Sequence, residues 1–187
     1  MADYCDYCNS HPEDTYNKDY HDLEYGFPLK DDNRLFERLM LEINQAGLSW
    51  ITILKKKDRF HSAYDGFDVD TVADYNEKDR ARLLADAGII RNRLKVNAAI
   101  ENARRIQVLQ ADYGSFKKWL DSNHPQDLDA WVKSFKKTFL FTGGEIVREF
   151  LISTGYLPGA HDSNCPIFME VKRKNPPWMK ILKSGAR

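Results

Sequence analysis

The residue pattern predicts an all-α protein. Apolar side chains recur at steps of three and four through most of the 187 residues, the spacing that lines one face of a helix. No stretch alternates apolar and polar side chains as a half-buried strand does. Glycine and serine punctuate the pattern where one helix should stop and the next begin.

The first strong stripe is Leu35, Phe36, Leu39, Met40 and Ile43. Gly47 reads as its stop and Ser49 as the cap of a following helix over 49–64. Another helix is expected over 77–86, and a long one from about 92 to 110 with Val96, Ala99, Ala103 and Ile106 on one face. Shorter segments fit 113–122 and 128–138, and a last helix over 144–154 gathers Ile146, Val147, Phe150 and Leu151. Residues 1–30 and 166–187, rich in turns and prolines, read as irregular flanks. The expectation is one domain over 1–165, with 1–30 as an N-terminal arm and 166–187 as a mobile basic tail.

Hydrophobic content of 42% fits a globular protein with a real core. No run of about 18 apolar residues reads as a membrane span, and the N-terminus lacks the apolar stretch of a signal peptide. Three cysteines, an odd count, read as reduced cytoplasmic thiols rather than a disulfide framework. Net charge is zero but unevenly spread. Lys172, Arg173, Lys174, Lys180, Lys183 and Arg187 against Glu170 make the tail +5 and the remainder −5. Further basic clusters are Lys55–Arg59, Arg91–Lys95 and the trio Lys133, Lys136 and Lys137. Such patches either bind phosphate or are solvated helix faces.

Soft metal ligands sit at the two ends of the chain. Cys5, Cys8 and His21 lie at the front, and His161 stands four residues before Cys165 at the back. On a helical turn His161 and Cys165 would share a face. With Cys5 or Cys8 and His21 they form a Cys2His2 set suited to closed, structural tetrahedral zinc; both cysteines together with His161 and Cys165 would form a Cys3His set. Either would fasten the front of the protein to its back.

Glu42 lies on the stripe Leu35, Leu39, Glu42, Ala46, on or beside a buried face. A carboxylate there needs hydrogen bonds, a cation or a proton. It is either a satisfied core glutamate or an acid lining a pocket. Trp50 follows the Gly47 turn, where an indole could stack on a planar heterocycle or simply pack in the core. Tyr20, beside His21, could add a second aromatic plane. The segment Phe141-Thr142-Gly143-Gly144-Glu145 precedes the last helix. Its paired glycines expose amides at a helix N-terminus, where phosphate binds, as in the hairpin of a helix-hairpin-helix DNA element; a plain tight turn is the other reading. The His-x-Glu and Pro-Cys-x-x-Cys pattern of zinc deaminases is missing. So are a Walker-type nucleotide loop and a Gly-x-Ser-x-Gly elbow, so no nucleotide cofactor is expected.

Three blocks carry a resemblance: Tyr20-His21-Asp22-Leu23-Glu24-Tyr25-Gly26, the run Leu41 to Lys56, and Gly88 to Lys95. From about Cys5 to Cys165 the chain resembles the 3-methyladenine DNA glycosylase I family. The resemblance implies an all-helical helix-hairpin-helix glycosylase that removes N3-methyladenine from alkylated double-stranded DNA in the cytoplasm, where a monomer suits a DNA-scanning enzyme. It implies that Glu42 is the catalytic carboxylate and that Tyr20, Tyr25 and Trp50 line the base site. It implies a structural zinc held by an N-terminal cysteine, His21, His161 and Cys165, and a DNA-backbone contact at Thr142, Gly143 and Gly144. The Cys-x-x-Cys start favours Cys5 as the ligand, and the ungapped spacing to His21 favours Cys8. Tyr25 stands where the family usually has tryptophan. The family lacks a catalytic aspartate after the hairpin helix, and Asp162, between two expected ligands, is a poor substitute. The alternatives are a non-catalytic DNA-binding protein on the same scaffold and a zinc-stapled interaction domain.

Overall fold

The computed structural model describes residues 4–180 and is helical throughout, with no strand among the described residues. In chain order the helices are α1 (Tyr4–Ser10), α2 (Thr15–Leu23), α3 (Asp32–Gln45), α4 (Trp50–Leu54), α5 (Lys57–Ala63), α6 (Val69–Ala73), α7 (Glu77–Ala85), α8 (Arg93–Tyr113), α9 (Phe116–Asn123), α10 (Leu128–Thr138), α11 (Gly144–Ser153) and α12 (Pro166–Arg173). A 3-10 turn, Asp65–Phe67, links α5 to α6. Among the described residues no helix is long and apolar enough to cross a membrane. The chain groups into two compact units. One is Lys30–Val147; the other joins residues 4–29 to residues 148–180.

In the central unit, α3 packs against α4, α6, α8 and α9. Asp31 caps α3 by accepting from the Arg34 amide, satisfying one of the amides left over at a helix start. Asp32, one residue on, accepts from the Phe116 and Lys117 amides and so caps α9 across the unit. Helix α8 buries Val96, Ala99, Ile100, Ala103 and Ile106; its alanines let α6 approach closely. Phe116, Trp119, Trp131, Phe135 and Phe139 form an aromatic cluster with ring centroids 5.2–6.4 Å apart, mostly edge to face. Each such side chain contributes roughly 1.5–3 kcal/mol by leaving water, which makes this cluster the main anchor of α9 and α10.

The other unit corrects the reading of the flanks. Residues 1–30 and 166–187 are not wholly irregular, because α1, α2 and α12 form there. Asp14 caps α2 through the Asn17 amide. Pro166 opens α12 at its first position, where a missing N–H costs nothing, and Val171 is buried. The Trp178 amide donates to the Gly155 carbonyl, tying residues beyond α12 back to the end of α11. Residues 181–187 of the expected tail lie outside the described residues. The helix expected over 49–64 is also interrupted, by a turn at Lys55 and Lys56 between α4 and α5. The Lys56 ammonium donates to the Ala87 and Gly88 carbonyls, a tertiary demand that periodicity does not reveal.

Candidate functional site

Cys5, His21, His161 and Cys165 converge in the unit formed by the chain's two ends. Their donor atoms all lie within 4.8 Å of one another, and all four residues are buried. His161 Nδ1 is 3.2 Å from His21 Nε2; Cys165 Sγ is 3.6 Å from His21 Nε2 and 3.7 Å from His161 Nδ1; Cys5 Sγ is 3.8 Å from His161 Nδ1. A tetrahedral zinc ion, with Zn–N and Zn–S bonds of about 2.0 and 2.3 Å, holds its donors about 3.3 Å (N···N) and about 3.5 Å (S···N) apart. The cluster has those dimensions.

The protons say the same. His21 Nδ1 lies 2.7 Å from Asp22 Oδ1, and His161 Nε2 lies 2.8 Å from the Tyr25 carbonyl. Burial pushes the Asp22 carboxyl up, but hydrogen bonds from Lys18 and His21 outweigh it and hold it below the usual range, so it is an acceptor. A carboxylate and a carbonyl can only accept. Each ring therefore donates through the outer nitrogen and turns a lone pair on the inner one toward its neighbour. Two lone pairs facing at 3.2 Å repel unless a cation sits between them. The residues present fit a structural metal, with four protein donors and no position left open.

His161 and Cys165 do not share a helical turn, as the spacing had suggested. They sit in the loop before α12, where the Cys165 amide donates to the Asp162 carbonyl and Cys165 caps α12. Cys8 is excluded from the cluster. It is fully buried on α1, its thiol lies 3.7 Å from the Asn17 carbonyl, and burial raises its pKa to about 11. Gly26 is required by this packing. Its φ of +82° suits glycine, and a Cβ there would lie 2.5 Å from Ala160 Cβ, next to the His161 ring. The preceding residue, Tyr25, packs edge-on against His161 and Tyr4, is tilted against Tyr20, and donates its hydroxyl to Glu149 at 3.2 Å. Tyr20 is buried.

In the central unit, Glu42 is 4% exposed in the last two turns of α3. Arg38, one turn earlier on the same face, is also buried. The chain then turns sharply. Ala46 ends α3, Gly47 adopts φ +84°, and the Leu48 amide donates to the Gln45 carbonyl at 2.7 Å. Glycine is the residue this conformation favours. Ser49 precedes α4, its hydroxyl 2.8 Å from that of Thr52, and half-buried Trp50 is the first residue of α4. The corner therefore holds a buried acid and a partly open indole eight residues apart. Lys95 does not join a solvated basic patch: it is 7% exposed and donates to the Asn44 and Ala46 carbonyls at 2.9 and 2.8 Å. Arg91 and Arg93, from the same cluster, are exposed.

The hairpin between α10 and α11 is clamped from beneath. Fully buried Asn102 accepts from the Leu140 amide at 2.8 Å and donates to the Leu140 carbonyl at 3.2 Å. The Thr142 hydroxyl donates to the Phe139 carbonyl. Gly143 and Gly144 are exposed, and a Cβ on either would meet nothing within 4 Å. The protein's own packing does not demand glycine there, and their absent side chains leave the start of α11 open to an incoming group. Lys133, Lys136 and Lys137 on α10 are exposed.

Asp22, Asn102 and the structural use of Lys95 emerge only in the structure. Asp22 adjoins an expected ligand, which is a usable signal for a partner that orients it. Asn102 is a polar residue on the apolar stripe of α8 and could have been found as one. Lys95 sits among arginines, and its neighbours hide it.

The chain is similar to known proteins. A family model for methyladenine glycosylase matches residues 8–143. DNA-3-methyladenine glycosylase 1 of Escherichia coli (strain K12) is 38% identical over 155 residues, covering 73% of this chain and 83% of the relative. The solved structure of 3-methyladenine DNA glycosylase I from Staphylococcus aureus, described as the structural basis of 3-methyladenine recognition, aligns with a TM-score of 0.77 at 34% identity, covering 86% of this chain and 95% of that one. A tyrosine-to-phenylalanine variant of 3-methyladenine DNA glycosylase I, in complex with 3-methyladenine, aligns with a TM-score of 0.77 at 31% identity over 86% of this chain and 96% of that one.

Proposed function

The chain belongs to the methyladenine glycosylase family, and on that premise we propose that it excises N3-methyladenine from alkylated double-stranded DNA. The observation that carries this reading is Glu42, a carboxylate 4% exposed at the end of α3 and followed across one turn by Trp50. A methyl group on N3 gives the adenine ring a positive charge and weakens its bond to the sugar. A desolvated carboxylate favours such a ring over a neutral one, because its field is not screened by water.

The base is taken out of the stack, its ring lies on Trp50, and ionised Glu42 accepts a hydrogen bond from its edge. Tyr20 and Tyr25 are the further aromatic residues this reading assigns to base contact; stacking contributes ~1–3 kcal/mol per base. The bond between N9 and the sugar carbon breaks with its electron pair going to the ring, which leaves neutral. A water oxygen bonds to the sugar carbon and releases its proton to solvent. The products are free 3-methyladenine and an abasic site, with no covalent enzyme intermediate and no strand cleavage. The helix-hairpin-helix element is α10, the hairpin from Phe141 through Gly144, and α11, with Thr142, Gly143 and Gly144 presenting amides to a phosphate at the positive end of α11. Cys5, His21, His161 and Cys165 hold a structural zinc, which supplies cohesion and no chemistry. The protein works as a cytoplasmic monomer on the nucleoid.

The test is release of free base from methylated duplex by the wild-type protein and by Glu42→Gln. Wild-type release, reduced strongly in the variant, is expected. Duplex binding without release of any base would show a DNA-binding protein instead, and full activity of the variant would remove Glu42 from the mechanism.

A further inference from the structure

Lys95 stands where a lysine is costly. It lies in the first turn of α8, three residues after the cap Asn92, whose side chain accepts from the Leu94 and Lys95 amides. That end of a helix carries partial positive charge and disfavours a cation. The side chain is 7% exposed, and burial lowers its pKa. Both penalties would vanish with an alanine, a better helix former.

The ammonium is spent on two carbonyls. It donates to Asn44 at 2.9 Å and to Ala46 at 2.8 Å. These belong to the last turn of α3, where carbonyls have no partner within the helix and carry partial negative charge. The start of α8 and the end of α3 are thereby cross-linked by one cation. The linked carbonyls follow Glu42 by two and four residues and precede Trp50 by six and four. Local bonds also run through the corner: the Ala46 amide to Ile43 at 3.4 Å, the Leu48 amide to Gln45, and the Ser49–Thr52 hydroxyl pair. A Cβ on Gly47, at its apex, would meet nothing within 4 Å.

We propose that Lys95 is a positioning residue for excision: by pinning the Asn44 and Ala46 carbonyls it fixes the end of α3, and so the angle and spacing between Glu42 and Trp50. It touches neither the base nor the DNA. The inference rests on the assignment of Glu42 and Trp50 to base recognition. An arginine can still donate to both carbonyls, though its flat, longer head must shift. A methionine fills the same volume and donates to neither.

Lys95→Met, Lys95→Arg and Lys95→Gln are compared with wild type and Glu42→Gln in single-turnover excision from methylated duplex, at a temperature at which melting curves show every variant fully folded. Unmethylated-duplex affinity is measured alongside. Lys95→Met is expected to lose ~10- to 100-fold in excision per folded molecule, the loss that follows from misplacing reacting groups by about 1 Å. Its duplex affinity should stay within about twofold, and Lys95→Arg should recover most of the rate. A purely structural lysine would lower the melting temperature and leave the rate of the folded protein at wild type, which overturns the proposal. A parallel fall in duplex affinity also overturns it, by assigning Lys95 to phosphate binding. Should Lys95→Met not fold, Lys95→Gln and Lys95→Arg decide by the same criteria. Full activity of Glu42→Gln would instead defeat the underlying reading, whatever the Lys95 variants do.

Discussion

The two units are held together by different physics. The central unit rests on apolar packing: the stripes of α3 and α8 and the aromatic cluster of α9 and α10. Among its polar contacts, Asp31, Asp32 and Lys95 cap helix ends. The unit made from the chain's ends has no helix as long as α3 or α8, and beside its buried Phe150, Leu151 and Tyr156 it gathers two thiols and two imidazoles. A metal held by those four donors would add its binding free energy directly to folding. The difference teaches which unit should answer to chelators and which to changes in packing.

The sharpest test is removal of the metal. Chelation, or His161→Ala, should release about one zinc per chain by elemental analysis. It should cost several kcal/mol in the terminal unit, a fall in melting temperature of roughly 2–4 °C for each kcal/mol. Hydrogen exchange should show α1, α2 and α12 losing protection while α3 and α8 keep theirs. Equal loss in both units, or none, would break the contrast.

The complementary test leaves the metal alone. Glu42→Gln should keep zinc content and melting behaviour close to wild type, yet reduce excision by ~100-fold or more, the cost typical of deleting one preorganised electrostatic contact. Asn102→Ala should have a smaller effect. It leaves the Leu140 amide and carbonyl without their partner, for about 1–3 kcal/mol of stability, and loosened hairpin amides should weaken duplex binding while free 3-methyladenine binds as before. Gly143→Ala should be mildest. Nothing in the protein opposes the added methyl group, so stability should hold to within about 0.5 kcal/mol, and only duplex affinity should fall, by a few-fold. Unchanged affinity would return the paired glycines to an ordinary turn.

The central unit was legible where its helices are long and their stripes strong, and not at the short α4, α5 and α6. Leu35 to Ile43 and Val96 to Ile106 each announce a helix, and Gly47 and Ser49 mark the corner between two of them. The terminal unit was legible only in its chemistry. His21, His161 and Cys165 stood out by type and spacing, but α1 and α2 are seven and nine residues long and offer too few apolar repeats to register. Cys5 and Cys8 are three apart on one helix face and both buried; periodicity predicts that both point inward and is silent on which one meets the histidines. Helix α12 was obscured by its charges, since burial of Val171 is a weak signal beside Lys172, Arg173 and Lys174. Lys95 was hidden for the opposite reason: a cation in a basic run looks exposed, and only the partner carbonyls on α3 explain its burial.

The order in which the four ligands are synthesised has a consequence for the newborn chain. Cys5 and His21 emerge from the ribosome early and must wait some 140 residues for His161 and Cys165. All of Lys30–Val147 is translated in the interval and can begin to fold, as domains do during synthesis. Until the last cysteine arrives, two soft donors stand open to any stray copper or oxidant. Cells short of zinc should therefore accumulate a full-length protein whose middle is native and whose ends are the first targets of proteases.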